Sequence, residues 1–117
     1  MTTKIYNLED RTLAFARDVI GFVKKIPRSM ANSEISKQLV RAAGSVGANY
    51  IEANECLGKK DFLMRIKISR KEAKESRYWL KLIECNEQDR EKRDRLIQES
   101  TELMNIFGSV FRKMQTK

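Results

Sequence analysis

Apolar residues recur along this chain in steps of three and four, in four stretches separated by short breaks. That spacing predicts four amphipathic α-helices. In the first stretch Asn7 is placed to cap the N-terminus, and Asp10 falls in the opening turn, where a carboxylate suits the helix dipole. Two apolar stripes follow on the same helix. Leu13, Ala16, Ile20 and Val23 make one; Phe15, Val19, Phe22 and Ile26 make the other. Two stripes predict two contacts, one with the core and one with another subunit. Pro27 ends the helix, because it lacks an amide donor and clashes with the preceding turn.

Asn32 or Ser33 is placed to cap the second helix, along which Ile35, Leu39, Ala42, Val46, Asn49 and Ala53 recur, and Gly58 reads as its C-terminal signal. Asp61 opens the third helix. There Phe62, Ile66, Ser69, Ala73, Ser76, Leu80 and Ile83 alternate in steps of four and three, a sustained heptad seam. Asn86 breaks the pattern and is placed to cap a fourth helix, in which Leu96, Ser100, Leu103, Phe107, Val110 and Met114 repeat the same steps. No strand alternation or low-complexity tract competes. The expected fold is all-α, an antiparallel up-down-up-down four-helix bundle, with residues 1–117 as one domain. A chain of 117 residues can bury one core without disulfides or a structural metal.

Two of the five glycines lie in the second helix, in the stretch RAAGSVGAN. A phosphate-cradling loop would need a strand before it and Lys-Ser or Lys-Thr at its end, and this stretch has neither. Gly44-Ser45-Val46-Gly47 spells the GxxG of a KH loop, but that fold also needs a sheet. The apolar period runs straight through both glycines, so they read as a thin helix surface that another helix approaches closely. Beside it Gln38, Arg41, Ser45, Asn49 and Glu52 form a polar stripe in helical steps. A polar stripe between apolar ones predicts a hydrogen-bonded network in a helix interface, with a carboxylate partner for Arg41.

Charge changes the picture more than composition does. The net charge is +8 and the pI about 9.7, a balance that favours an anionic partner, nucleic acid first. The excess concentrates around the third helix. Lys59 and Lys60 precede it, and Lys67, Arg70, Lys74, Arg77 and Lys81 fall on one stripe roughly 100° from the apolar seam. Glu72 and Glu75 lie on the other flank with Ile68, Trp79 and Leu82, so the basic stripe is not neutralised within its own helix. Cys56 and Cys85 show neither metal-ligand spacing nor a disulfide framework, which fits a reducing cytoplasm. The N-terminus has no signal-peptide layout, and no apolar run is long enough to span a membrane.

The chain has no histidine, which removes the usual general base and the nucleophile pairs that depend on one. One enzymatic pattern survives. Glu52-Ala-Asn-Glu55 and Glu72-Ala-Lys-Glu75 are two ExxE pairs on consecutive helices, and facing one another they could hold Mg²⁺ for phosphate chemistry. The layout is similar to that of all-α nucleotide pyrophosphohydrolases of the MazG type. It departs from them in lacking the acidic doublet and in ending the second pair with Glu rather than Asp.

Gln38-Leu39-Val40-Arg41-Ala42-Ala43-Gly44-Ser45-Val46-Gly47-Ala48-Asn49, followed by Glu52, resembles the signature of the bacterial four-helix bundle proteins, also called the 23S rRNA-intervening sequence protein family. Lys71-Glu72-Ala73-Lys74-Glu75-Ser76-Arg77-Tyr78-Trp79-Leu80 looks like the family's third-helix signature, with Phe62 as the aromatic that opens that helix. The likeness runs from the first helix to about Cys85. The family resembles in turn the accessory variability determinant of diversity-generating retroelements, a basic pentameric barrel that binds nucleic acid and a reverse transcriptase. The resemblance implies a cyclic homopentamer of bundles with no catalytic activity and no cofactor. It also implies that Arg41, Ser45, Asn49, Glu52, Glu72 and Glu75 are mainly structural; a reverse-transcriptase partner is an analogy only.

The expected function is therefore non-catalytic nucleic-acid binding, RNA rather than DNA, through Lys59, Lys60, Lys67, Arg70, Lys74, Arg77 and Lys81 of a homo-oligomer. Two alternatives stay open: a protein–protein scaffold in which the charge serves solubility or docks an acidic partner, and the Mg²⁺-dependent hydrolase.

Overall fold

A computed structural model describes residues 7–116 of the chain. Four helices run in chain order: α1, Leu8–Val23; α2, Met30–Glu55; α3, Lys59–Leu82; and α4, Arg90–Gln115, entered through a single 3-10 turn at Glu87–Asp89. No strand occurs among the described residues. The side-chain pairs between helices run in opposite senses along each neighbouring pair, as in Glu9–Asn54, Arg65–Asn49 and Arg77–Thr101. The bundle is thus antiparallel and up-down-up-down. It measures 47 × 31 × 19 Å, a flattened shape in which α3 packs extensively on α2 and α4, while α1 is held less extensively by α2 and α4.

The heptad seam of α3 is the centre of the core. Ile66, Ser69, Ala73, Ser76, Leu80 and, just past the helix, Ile83 are buried, with Phe62 half-buried at the start. Leu39, Ala42, Val46 and Ala53 of α2 and Leu96, Ser100, Leu103 and Phe107 of α4 are buried with them, each at a position given by the apolar period. Buried hydroxyls need partners. Ser69 Oγ donates across the interface to the Val46 carbonyl at 2.9 Å, whereas Ser76 and Ser100 donate back to Glu72 and Ile97 in their own helices at 2.8 and 2.7 Å.

The two stripes of α1 separate as the pattern predicts. Phe15, Val19 and Phe22 are buried, and Ile26 packs against the core from the following loop. Leu13 is 51% exposed and Ile20 39%, so these two face out of the single chain, while Ala16 and Val23 of the same stripe are half-buried and Val23 packs against the core.

Several helix ends differ from the sequence expectation. Asn7 is at the N-cap of α1, but its side chain makes no capping bond. α1 ends at Val23, three residues before the Ile26–Pro27 bond, with Lys24 as the C-cap. Ser29 rather than Asn32 or Ser33 caps α2, its hydroxyl accepting from the Asn32 amide at 3.0 Å. Gly58 is the N-cap of α3, not a C-terminal signal of α2; α2 stops at Glu55, and Asp61 lies inside the first turn of α3. Asn86 precedes the 3-10 turn, and its side chain reaches the Lys25 carbonyl at 3.3 Å instead of capping α4.

Asn32 is freed from capping because Ser29 already serves that end, and it does something more constraining. Only 2% exposed, its Nδ2 donates to the carbonyls of Pro27 and Glu84, both at 2.9 Å, and its Oδ1 accepts from the Glu84 amide at 3.1 Å. One side chain thereby satisfies three backbone groups in the two loops at this end of the bundle.

The two glycines of α2 prove different. A Cβ on Gly47 would stand 2.7 Å from Thr12 Oγ1 and 3.1 Å from Thr12 Cβ, so the missing side chain is what lets α1 approach. Thr12 cannot retreat, being buried with its hydroxyl bonded to the Leu8 carbonyl at 2.8 Å. Gly44 meets nothing within 4 Å and supports no helix contact within the chain. Opposite responses to alanine are expected. Gly44→Ala should gain about 0.5–1 kcal/mol of stability from helix propensity alone. Gly47→Ala should lose about 1–3 kcal/mol despite the same propensity gain, because overpacking outweighs it. Urea denaturation of the two variants measures both.

Candidate nucleic-acid interface

Side chains on α3 leave the core seam along two flanks, and the neighbouring helices give the flanks different fates. On the α2 side, the acids are taken up. Arg41 places Nη1 3.5 Å from Glu72 Oε1 and Nη2 3.2 Å from Glu75 Oε1. Glu72 is buried, and its Oε1 has no hydrogen bond, so this ion contact is its only compensation. A little further along, Asn49 Nδ2 donates to the Ser45 carbonyl at 2.9 Å while its Oδ1 accepts from Arg65 Nη1, also at 2.9 Å. In the expected polar network Arg41, Asn49, Glu72 and Glu75 therefore make the contacts between α2 and α3, while Ser45 contributes only its backbone carbonyl within α2. Gln38 and Glu52 are exposed and take no part in it. Arg65 belongs to it and was not foreseen, because its own helix gives no hint that it turns toward Asn49.

On the α4 side, the cations are left unneutralised. Lys67, Arg70, Lys74 and Lys81 are exposed and Arg77 half-buried, and among the described residues none of the five makes an ion pair. Glu72 and Glu75 cannot serve them, since Arg41 holds both on the opposite flank. Arg77 Nη1 reaches across to Thr101 Oγ1 at 3.3 Å, and Arg70 lies over Gly108. The stripe thus follows the groove between α3 and α4. Lys60 is exposed just before it, while Lys59 turns toward the end of α4, with Nζ 3.5 Å from the Gln115 carbonyl. Arg112 of α4 joins the groove from the other wall. Sequence spacing within one helix could not place it there; the mid-helix glycine at 108 was the available signal.

Other polar groups tie the bundle rather than open it. Arg11 of α1 donates Nε and Nη2 to Glu99 at 2.7 and 2.8 Å and Nη2 to Glu102 at 2.7 Å. The hydrogen bond to Glu99 is the largest influence raising the Arg11 pKa above its ordinary value; partial burial opposes it, and Glu102 reinforces it. A cleft of about 430 Å³ between α1 and the start of α4 carries both signs, with Arg17, Lys25 and Arg95 beside Asp18 and Glu91. The ExxE pairs do not gather into a ligand set: Glu52 and Glu55 are exposed, Glu72 and Glu75 are engaged by Arg41, and no group of three or more metal-ligating side chains occurs among the described residues. Cys56 and Cys85 are both half-buried free thiols, and Cys56 Sγ donates to the Glu52 carbonyl at 3.3 Å. No helix among the described residues is long and apolar enough to cross a membrane.

Among solved structures, the bundle is similar to a protein of unknown function from the S23 ribosomal protein family of Bacteroides thetaiotaomicron. The two align with a TM-score of 0.75 and 29% identity over 94% of this chain and 99% of that one. No curated protein matches significantly. The sequence profile of the 23S rRNA-intervening sequence proteins matches residues 6–109, nearly the whole bundle including the α2 and α3 stretches that build the polar network. With fold and profile in agreement over that span, the chain belongs to the 23S rRNA-intervening sequence protein family.

Proposed function

We propose that this protein is a non-catalytic, cytoplasmic nucleic-acid-binding protein, acting on RNA rather than DNA through the α3–α4 groove, and that it does so as a homo-oligomer. One observation carries the reading: five cations, Lys67, Arg70, Lys74, Arg77 and Lys81, share a flank without an ion pair among the described residues, while the acids of the same helix are drawn to the far flank by Arg41. Each helical step of three or four residues advances about 5–6 Å along the axis, a spacing at which successive cations meet a polyphosphate backbone. Binding of this kind draws its affinity from counterion release and does not read sequence.

The test is fluorescence anisotropy with a labelled structured RNA across a salt series. Wild type should bind at low salt with a steep salt dependence. Changing Lys67, Arg70, Lys74 and Arg77 together to Gln should weaken binding and make the slope of log K against log salt shallower by about three units. Equal binding by the folded variant would sink the reading and bring the scaffold alternative forward.

Self-association is supported by apolar side chains that the single chain leaves uncovered. Leu13 and Ile20 on α1 and Tyr78 and Leu82 on α3 are each between 39% and 59% exposed. Family resemblance points to five subunits in a ring, and a heterologous contact between two such faces closes into one. Leu13→Lys combined with Ile20→Lys should sediment as a monomer in analytical ultracentrifugation with its helical circular dichroism unchanged; an unaltered assembly would remove α1 from the interface.

The non-catalytic part of the proposal is tested separately. With Mg²⁺ and nucleoside triphosphates, wild type should release no pyrophosphate. Release abolished by a well-folded Glu72→Gln would establish the hydrolase instead.

A further inference from the structure

We propose that Arg70 and Arg112, meeting over Gly108, form a seat for a single phosphate group. The inference rests on the groove being a nucleic-acid contact and names a fixed point within it. Gly108 is buried within α4, where every residue but proline would make the better helix. A Cβ there would stand 3.2 Å from Arg70 Nε, 3.6 Å from Arg70 Cδ and 3.4 Å from Arg112 Nη1. Two guanidiniums, one from each wall of the groove, therefore converge over Gly108, where a larger side chain would push them outward.

Like charges repel, and no acid among the described residues holds these two together. Among the described residues neither Arg70 nor Arg112 has a hydrogen bond or an ion pair. No acid lies three or four residues from either on its own helix. Arg11 shows the alternative arrangement: where an arginine has a tying role here, Glu99 and Glu102 meet it at 2.7 Å. At Gly108 the two planar donor forks are present and no acceptor for them stands among the described residues. Such forks match the oxygens of a tetrahedral phosphate, which can accept from both at once. Lys67 and Lys74 stand one turn to either side of Arg70, so a phosphodiester seated here would continue along the stripe in both directions. The shared chemistry is a phosphate oxyanion, whether internal to a nucleic-acid strand or free.

Three variants and two probes test the seat. Gly108→Leu keeps every charge but fills the spot; Arg112→Gln and Arg70→Gln each remove one fork. RNA anisotropy across a salt series is one readout. The other is the arginine Nε–Hε NMR signals during titration with inorganic pyrophosphate. The seat predicts that pyrophosphate shifts the Arg70 and Arg112 signals of wild type and not those of Gly108→Leu. It predicts that Gly108→Leu weakens RNA binding although its net charge is unchanged. Each Arg→Gln variant should make the salt slope shallower by about one unit. Their double variant should lose less than the product of the two single losses, because the seat is shared. If Gly108→Leu binds RNA as wild type does, or the arginine losses simply multiply, the two residues are independent surface charges and the seat is wrong while the groove reading stands. Should Gly108→Leu fail to fold, the pyrophosphate shifts and the arginine cycle decide alone. If wild type binds no RNA but pyrophosphate shifts both arginines, the seat stands, its ligand is a free phosphate, and the nucleic-acid reading falls.

Discussion

Everything in this bundle depends on the closeness with which α2 and α4 can lie against one narrow line of α3. Ser69, Ala73 and Ser76 make that line thin in the middle, and Ala42, Ala43 and Val46 make the facing surface of α2 thin as well. Small residues bring backbones together, and the Ser69 hydroxyl uses the approach to bond a carbonyl of the neighbouring helix. Because the buried line is narrow, most of the circumference of α3 is left outside the core. The two flanks are then free to carry charge, and their partition into an acid side and a base side is possible only for a helix gripped this way.

The partition itself is arranged by arginines. Arg41 collects Glu72 and Glu75, Arg11 collects Glu99 and Glu102, and the five cations of the α3 stripe are left without an ion pair among the described residues. Arg41 is half-exposed, but its partner Glu72 is buried and has no other compensation, so losing Arg41 would leave a carboxylate uncompensated in the helix interface. Arg41 thus both sets where the negative charge goes and covers its cost. The family to which the chain belongs carries the Arg41 and Glu72 stretches within its matched span, so the arrangement lies in the part of the chain that defines the likeness.

How much of this could be read beforehand follows from what is local. Most of the core line of each helix was legible, because burial of a helix face imposes a period that the sequence must show, whereas Leu8, Thr12, Ala43, Glu72 and Met104 are buried without having been marked by it. The basic stripe was legible for the same reason. Helix ends were less so: Ser29, Asn32 and Ser33 are all acceptable caps, and the choice among them fell to a tertiary demand, the loop at Glu84 that needs Asn32. Gly44 and Gly47 look alike in sequence and differ only in whether Thr12 stands opposite. Arg65 and the pairing of Arg11 with α4 were out of reach, since nothing in the spacing of one helix states which residue of another it will meet; Arg112, four residues after Gly108 on its own helix, left that one signal.

Asn32 has a mechanical consequence. Its amide grips the α1–α2 loop at Pro27 and the α3–α4 connection at Glu84, and Asn86 adds a second tie to Lys25. The two loops at that end of the bundle form one joint instead of two hinges. A displacement of α1 would then be delivered at the C-terminal end of α3 through Asn32 and Asn86, not absorbed by the loops between them.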